Sequence, residues 1–340
     1  PHESGTTLRL LLPVAASICN DVDVDAKGRL PDRPLEPMLS EMKAHGVTFS
    51  QDKPPFTMTG RLQGGHFSMV GDVSSQFFSG LLLAAPQIGL STITATTPLQ
   101  SSDYVTLTTE TMRDFGVEVK HTLPSTNINE AFTVPFGASF IGRDNYQIEG
   151  DWSNAAIWMV AAGMTGKPIT ITGMNKNSVQ ADRRIIQVMI DAGCDVVWDG
   201  MNITVTGRAS KPIHVDLEQM PDMLPVMAAL ACSISGESSF IKGARLRLKE
   251  SDRLIAVANL VRDLGGTVRE EGDDLYIIGS GILKGGHGDC VNDHRLVMAG
   301  TLMALISENP VTLKDSEAIT KSYPDFFEDW NLLGGDAHGI

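Results

Sequence analysis

The 340-residue chain carries a net charge of -14 with no basic run, which excludes a nucleic-acid partner, because a phosphate backbone is gripped by a basic face. A composition 42% hydrophobic and 20% charged describes a globular chain with a sizeable core, and its length suggests two domains. Its longest apolar stretches, 223–234 and 297–306, are too short to span a membrane, no signal-peptide layout opens it, and its four cysteines (Cys19, Cys194, Cys232, Cys290) are too scattered for a zinc site or disulfide framework, so a cytoplasmic location, reduced thiols and no metal are expected.

A first helix is predicted to open near Thr6, in ESGTTLRLLLPVAA, behind Ser and Thr capping residues. Arg9 stands one turn into this apolar run. An unpaired buried guanidinium is costly, so a bound anion or an acidic partner is expected for it. An amphipathic second helix then stops at Gly46, the residue type expected just past a helix end. The same pair recurs as a helix from Ser74 (GDVSSQFFSGLLLAAP) and one stopped by Gly116. The stretch from Ala138 to Tyr146 reads as the end of a long hairpin, with a domain boundary near residue 148.

The pattern continues with a helix from Ser153 (GDWSNAAIWMVAAG), a stop at Gly193 and a hairpin turn at Asp199-Gly200. It continues with a helix near Asp222 (PDMLPVMAALACSI), a stop at Gly265, a turn at Glu271-Gly272, a helix from Asp293 (NDHRLVMAGTLMALI) and a stop at Gly334. The starts lie roughly 70 to 80 residues apart, so the chain reads as five copies of one α/β unit. The first helix of each copy is nearly apolar all round, which suits a helix enclosed by sheets, whereas the second has a polar face. Residues 1–148 hold two copies and 149–340 hold three, leaving the first domain one copy short.

Helix N-termini present unpaired amides and the positive end of the helix dipole, so Gly5-Thr6, Ser74-Ser75-Gln76 and Asp293-His294-Arg295 are candidate anion seats. In LRLKESDRL, residues 246 to 254, a helical backbone would aim Lys249 and Arg253 one way and Glu250 elsewhere. Alternatively, Ser251 caps the helix and Lys249 lies in the entering loop. Taken alone, the stretch could also be a solvated charged face.

The segments GTTLR, RP, GDVSSQF, LKESDRL, NDHR and KSYPDFF, in this order and at these spacings, resemble the successive signatures of EPSP synthases over residues 3 to 335. The resemblance implies a two-domain inverted α/β barrel built from βαβαββ units, five of six present, with buried helices directed at an interdomain cleft. It implies transfer of the carboxyvinyl group of phosphoenolpyruvate to shikimate 3-phosphate, with no metal or other cofactor, no membrane partner, and a monomer.

Carried over by position, Asp222, Lys249 and Glu250 are the expected catalytic residues. Gly5, Arg33, Gln76, Arg253, Arg295 and Lys321 match the phosphoenolpyruvate contacts. Ser74, Ser75, Gln76, Ser101, Tyr104, Asp222, Arg245 and Lys249 match those for shikimate 3-phosphate, with Thr6, Arg9 and His294 in support. Arg245 departs from the Asn often found at its position. The family's opening repeat, with its Lys-Ser pair and later Arg, has no counterpart from Pro1 onward, so the 340 residues alone are expected to be inactive. Two other readings stand beside this one: a UDP-N-acetylglucosamine enolpyruvyl transferase, whose loop Cys finds no match here, and a non-catalytic scaffold.

Overall fold

The computed structural model describes residues 1–126, 129–249 and 251–339. It divides into two compact α/β units, Pro1–Gln147 and Ile148–Ile340. None of the helices among the described residues is long and apolar enough to cross a membrane.

The first unit runs α1 (Gly5–Ile18), β1 (Asp21–Val24), α2 (Met38–Ala44), β2 (Val47–Phe49), β3 (Phe56–Gly60), β4 (His66–Met69), α3 (Ser75–Ile88), β5 (Ser91–Ala95), α4 (Ser102–Asp114), β6 (Lys120–Thr122) and β7 (Glu130–Val134). Capping starts its two core helices. Ser4 accepts from the Thr7 amide at 3.1 Å, and Ser74 from the Gln76 amide at 3.3 Å. Helices α1 and α3 pack with their backbones in near contact, since a Cβ on Gly80 would lie 2.3 Å from the Arg9 carbonyl oxygen. Around them stand an antiparallel sheet, β1-β3-β2, and a four-stranded sheet, β4-β5-β7-β6, in which only β4 and β5 are parallel. Leu8, Leu12, Phe77, Phe78, Phe67 and Phe132 meet in the core between.

The hairpin expected to end at Tyr146 ends instead at Val134, and residues 138–146 form no strand. Gly137 and Gly142 interrupt the alternation a strand needs, and the segment ties itself to the end of α4. The Ile141 amide donates to the Phe115 carbonyl at 2.8 Å, and the Tyr146 hydroxyl to Asp114 at 2.9 Å.

The second unit runs α5 (Trp152–Thr165), β8 (Ile169–Ile171), α6 (Ile185–Asp191), β9 (Asp195–Asp199), β10 (Asn202–Thr206), β11 (His214–Asp216), α7 (Leu224–Ser233), β12 (Gly236–Ile241), α8 (Arg253–Asp263), β13 (Thr267–Glu271), β14 (Asp274–Gly279), β15 (Gly286–Asp289), α9 (His294–Ala304), β16 (Val311–Lys314) and α10 (Phe326–Leu332). Helices α5, α7 and α9 pack on one another, and α7 is buried at every position, as its unbroken apolar sequence requires. The sheets are antiparallel β8-β10-β9, four-stranded β11-β12-β14-β13 and the parallel pair β15-β16. Only β11 and β12 are parallel in the four-stranded sheet, the same pairing pattern as in the first unit. The stop glycines 46, 116, 193, 265 and 334 all take positive φ just beyond a helix end.

Candidate active site

In the first unit the candidate residues meet at the starts of α1 and α3. The Gln76 side chain bridges the two helices: its Oε1 accepts from Arg9 Nη1 at 3.1 Å, and its Nε2 donates to Thr6 Oγ1 at 2.7 Å. A guanidinium can only donate, which fixes the orientation of the amide. Arg9 also donates to the Pro34 carbonyl at 2.9 Å and lies over the Phe77 ring. Among the partners of Arg9 are thus neutral carbonyl oxygens, brought in from positions 34 and 76 by the fold. Arg33 lies directly on the first residue of α1: a Cβ on Gly5 would approach its Nη1 to 2.7 Å. Ser74 and Ser75 are buried where α3 opens. Buried Ser101, held in the left-handed region at φ 53°, precedes α4, in which Tyr104 follows three residues later.

In the second unit the turns that precede α7, α8 and α9, with the first residues of α8 and α9, bring Lys249, Arg253 and Arg295 near Asp222 and Asp293. Asp222 lies in the turn Pro221–Met223; its Oδ1 accepts from Arg253 Nη1 at 2.6 Å and pairs with Lys249 Nζ at 3.0 Å. Arg253, only 1% exposed, forks onto Asp293 with Nε to Oδ2 at 2.7 Å and Nη2 to Oδ1 at 3.2 Å. Asp293 is fully buried, caps α9 by accepting from the Arg295 amide at 3.0 Å, and accepts from the Ser251 hydroxyl at 3.1 Å. Asn292, in the left-handed region at φ 57°, turns its carbonyl to Lys321 Nζ at 2.8 Å. His294 Nδ1 stands 3.9 Å from Asp293.

Electrostatics sort the carboxylates. Burial pushes Asp222 up, but Lys249, Arg295 and Arg253 outweigh it and hold the group well below the usual carboxylate range. Burial also opposes ionisation of Asp293, and the Arg253 guanidinium brings it down to about 2. Both are charged at neutral pH and gather Lys249, Arg253 and Arg295 around them within an acidic chain. Cations gathered in this way are suited to anionic substrates. By contrast, a groove of about 390 Å³ along α1 and β1 is lined mainly by apolar side chains, with Asp23 and Asp25 beside them.

A family model for EPSP synthase (3-phosphoshikimate 1-carboxyvinyltransferase) matches residues 2–330. The chain belongs to that family. It is 37% identical to the 3-phosphoshikimate 1-carboxyvinyltransferase of Clostridium kluyveri, over 98% of this chain and 78% of that protein. Its identity to the one from Methanocorpusculum labreanum is 36%, with the same coverage. The solved EPSP synthase of Acinetobacter baumannii superposes with a TM-score of 0.77 at 25% identity, over 97% of this chain and 77% of that one.

Against the EPSP synthase motifs, the stretch 246–254 departs from the single-helix reading. Lys249 is extended, at the end of the turn Ala244–Leu248 that also holds Arg245, and α8 begins only at Arg253. The cap is Asp252, which accepts from the Ile255 amide, and not Ser251. Lys249 and Arg253 still converge, because both reach Asp222 Oδ1. Arg247 turns away to Asp273 and Asp252. Glu250 lies outside the described residues. The described residues include no cluster of three or more His, Cys, Asp or Glu that could hold a metal.

Sequence reasoning missed one member of the second cluster, Asp182. It is 2% exposed, accepts from Ser153 Oγ, and is coupled electrostatically to Arg295 and Asp222. In the string ADRR an acid beside two arginines reads as a solvated surface, so no local signal marked it.

Proposed function

We propose that the reaction this chain takes part in is transfer of the carboxyvinyl group of phosphoenolpyruvate to the 5-hydroxyl of shikimate 3-phosphate, with release of phosphate, in aromatic amino-acid biosynthesis. Beyond family membership, the observation that carries this reading is the convergence of Lys249, Arg253 and Asp222 beside Arg295 in a chain of charge -14. Gly5, Arg33, Gln76, Arg253, Arg295 and Lys321 are assigned to phosphoenolpyruvate. Ser74, Ser75, Gln76, Ser101, Tyr104, Asp222, Arg245 and Lys249 are assigned to shikimate 3-phosphate. The α/β succession is read as five βαβαββ units.

In this reaction the 5-oxygen forms a bond to C2 of phosphoenolpyruvate, the hydroxyl loses its proton and C3 gains one, giving a tetrahedral ketal phosphate. The C2–O bond to phosphate then breaks and C3 gives up a proton, restoring the double bond. Asp222 is the proposed acceptor of the hydroxyl proton. Held down by its cations, it is a weak base until substrate anions share Lys249, Arg253 and Arg295; its basicity then rises where the proton must be taken. Lys249, 3.0 Å from Asp222, assists the transfer. Glu250 is the candidate for the C3 proton, a role that suits a carboxyl whose pKa is raised in a dehydrated site.

Thermal unfolding with ligands, followed by a phosphate-release assay, tests the reading. Shikimate 3-phosphate at a hundred times its Kd should stabilise the protein by about 2.7 kcal/mol, and UDP-N-acetylglucosamine should leave it unchanged. Stabilisation by the nucleotide sugar alone, or phosphate release that does not require shikimate 3-phosphate, would overturn it.

A further inference from the structure

Two segments of the second unit that lie far apart in the chain are joined through one carboxylate. From the loop that leads into α8, the Ser251 hydroxyl donates to Asp293 Oδ2 at 3.1 Å. Arg253, the first residue of α8, adds Nε to Oδ2 at 2.7 Å and Nη2 to Oδ1 at 3.2 Å. From the start of α9 itself, the Arg295 amide donates to Oδ1 at 3.0 Å. Each oxygen of Asp293 therefore accepts twice, and the group is 0% exposed, with Ser251 and Arg253 buried around it. A buried carboxylate is tolerated where both its oxygens are met in this way.

The backbone before Asp293 is held in place, not relaxed. Val291 and Asn292 take φ 44° and 57°, and the Asp293 amide closes the turn on the Cys290 carbonyl at 2.8 Å. For a β-branched residue such as Val this left-handed conformation is strained, and it persists only where the surroundings over-determine it. The Val291 amide is fixed by Asp289 at 2.9 Å, and the Asn292 carbonyl by Lys321 Nζ at 2.8 Å. Capping alone does not require such a turn: Ser74 and Asp151 cap α3 and α5 with no left-handed residue in the two positions before them. The strained turn delivers Asp293 to the loop before α8.

We propose that Asp293 is a positioning residue: it clamps the loop carrying Lys249 and Arg253 to the start of α9, and so sets both cations against Asp222. This rests on the assignment of Lys249 and Arg253 to the substrates. Lys249 lies two residues before Ser251, and its Nζ meets Asp222 Oδ1 at 3.0 Å, the same oxygen that accepts from Arg253 Nη1 at 2.6 Å. The fork onto Asp293 fixes the plane of the guanidinium, and the Ser251 hydroxyl fixes the backbone ahead of it.

Acetylation of the intact chain by a succinimidyl ester, read at each lysine by mass spectrometry, tests the clamp without substrate. Exposed Lys176 and Lys211 serve as internal references. A paired ammonium must leave its carboxylate before it reacts, so wild-type Lys249 should be slow. Ser251→Ala removes one hydrogen bond of the clamp and no cation, and should speed Lys249 by about fivefold against the references. Ser251→Thr keeps the hydroxyl and should restore the slow rate. Asp293→Asn places an amide donor among donors and should speed Lys249 by about tenfold. A purely structural Asp293 would lower stability in these variants and leave Lys249 of the folded protein shielded.

Wild-type rates at Lys249 in folded Ser251→Ala and Asp293→Asn overturn the positioning role, and Ser251→Ala alone decides it if Asp293→Asn folds poorly. Shikimate 3-phosphate separates the clamp from the site assignment. It should slow acetylation of Lys249 and leave Lys176 and Lys211 unchanged. Ser251→Ala should weaken its binding about fivefold, and much less in a Lys249→Met background, because the two act through one group. A ligand that leaves Lys249 unshielded would remove that lysine from the site, and the part of Asp293 in the reaction with it, whatever the ligand-free rates.

Discussion

Replacing Asp182 by Asn should make the second unit more stable at neutral and alkaline pH. The carboxyl titrates at about 6 in the fold against an ordinary value of 3.8. The native state therefore holds the proton more tightly than the unfolded chain, and stability falls as pH rises through that window. Above pH 6 the whole gap counts against folding; at about 1.4 kcal/mol per pH unit it is about 3 kcal/mol. At pH 5 about half of it remains. Asn has nearly the same shape and cannot ionise, so the variant should gain about 3 kcal/mol at pH 8 and about 1.5 kcal/mol at pH 5. Asp293→Asn is the control of opposite sign. That group is held at about 2, contributes stability that is lost as pH falls from 3.8 toward 2, and compensates the buried Arg253, so its removal should cost about 3–5 kcal/mol at pH 7. Urea unfolding followed by tryptophan fluorescence reads the right transition, because Trp152, Trp158, Trp198 and Trp330 all belong to the second unit. A less stable Asp182→Asn at pH 8, or a gain that does not shrink at pH 5, would refute the electrostatic account.

Lys249→Met keeps the length of the side chain and leaves Asp222 to Arg253 and Arg295, so the fold should persist while single-turnover phosphate release drops by about 10²–10⁴. Gly5→Ala would place a methyl 2.7 Å from Arg33 Nη1; the flexible guanidinium yields, and steady-state kinetics should show KM for phosphoenolpyruvate raised about tenfold with kcat less affected. Gly80→Ala sets its methyl against a backbone carbonyl that cannot yield, and should destabilise the first unit by about 1–3 kcal/mol. Faster amide hydrogen exchange in α1 and α3, with the tryptophan transition unmoved, is the expected signature.

What the sequence made legible is what local chemistry decides. Ser4 and Ser74 cap helices, Asp293 opens α9, and five glycines at positive φ end helices, because each needs only residues within one turn. Legibility fails where partners come from far along the chain. The carbonyl of Pro34 and the amide of Gln76 bond Arg9 across 25 and 67 residues, and no pattern at position 9 names them. Lys249 could share a helix face with Arg253 or lie in the entering loop; it lies in the loop, and the two converge on Asp222, from the end of one turn and the first residue of a helix. The stretch from 138 to 146 reads as the end of a hairpin, and it is the end of α4 that takes its hydrogen bonds instead.

Asp182 and Asp293 share a cluster and a degree of burial, yet their ionisation is displaced in opposite directions. Asp293 has a guanidinium forked onto both of its oxygens and an amide at its helix start. Asp182 has one hydroxyl, and an arginine that also acts on Asp222. A chain shaped by stability alone would hold Asn at 182. Doing so would also remove the negative charge that opposes ionisation of Asp222, leaving that carboxylate bound still more firmly by its cations and weaker as the proposed proton acceptor. The strain in ionising Asp182 and the basicity available at Asp222 therefore arise from one arrangement, in which both carboxylates draw on Arg295.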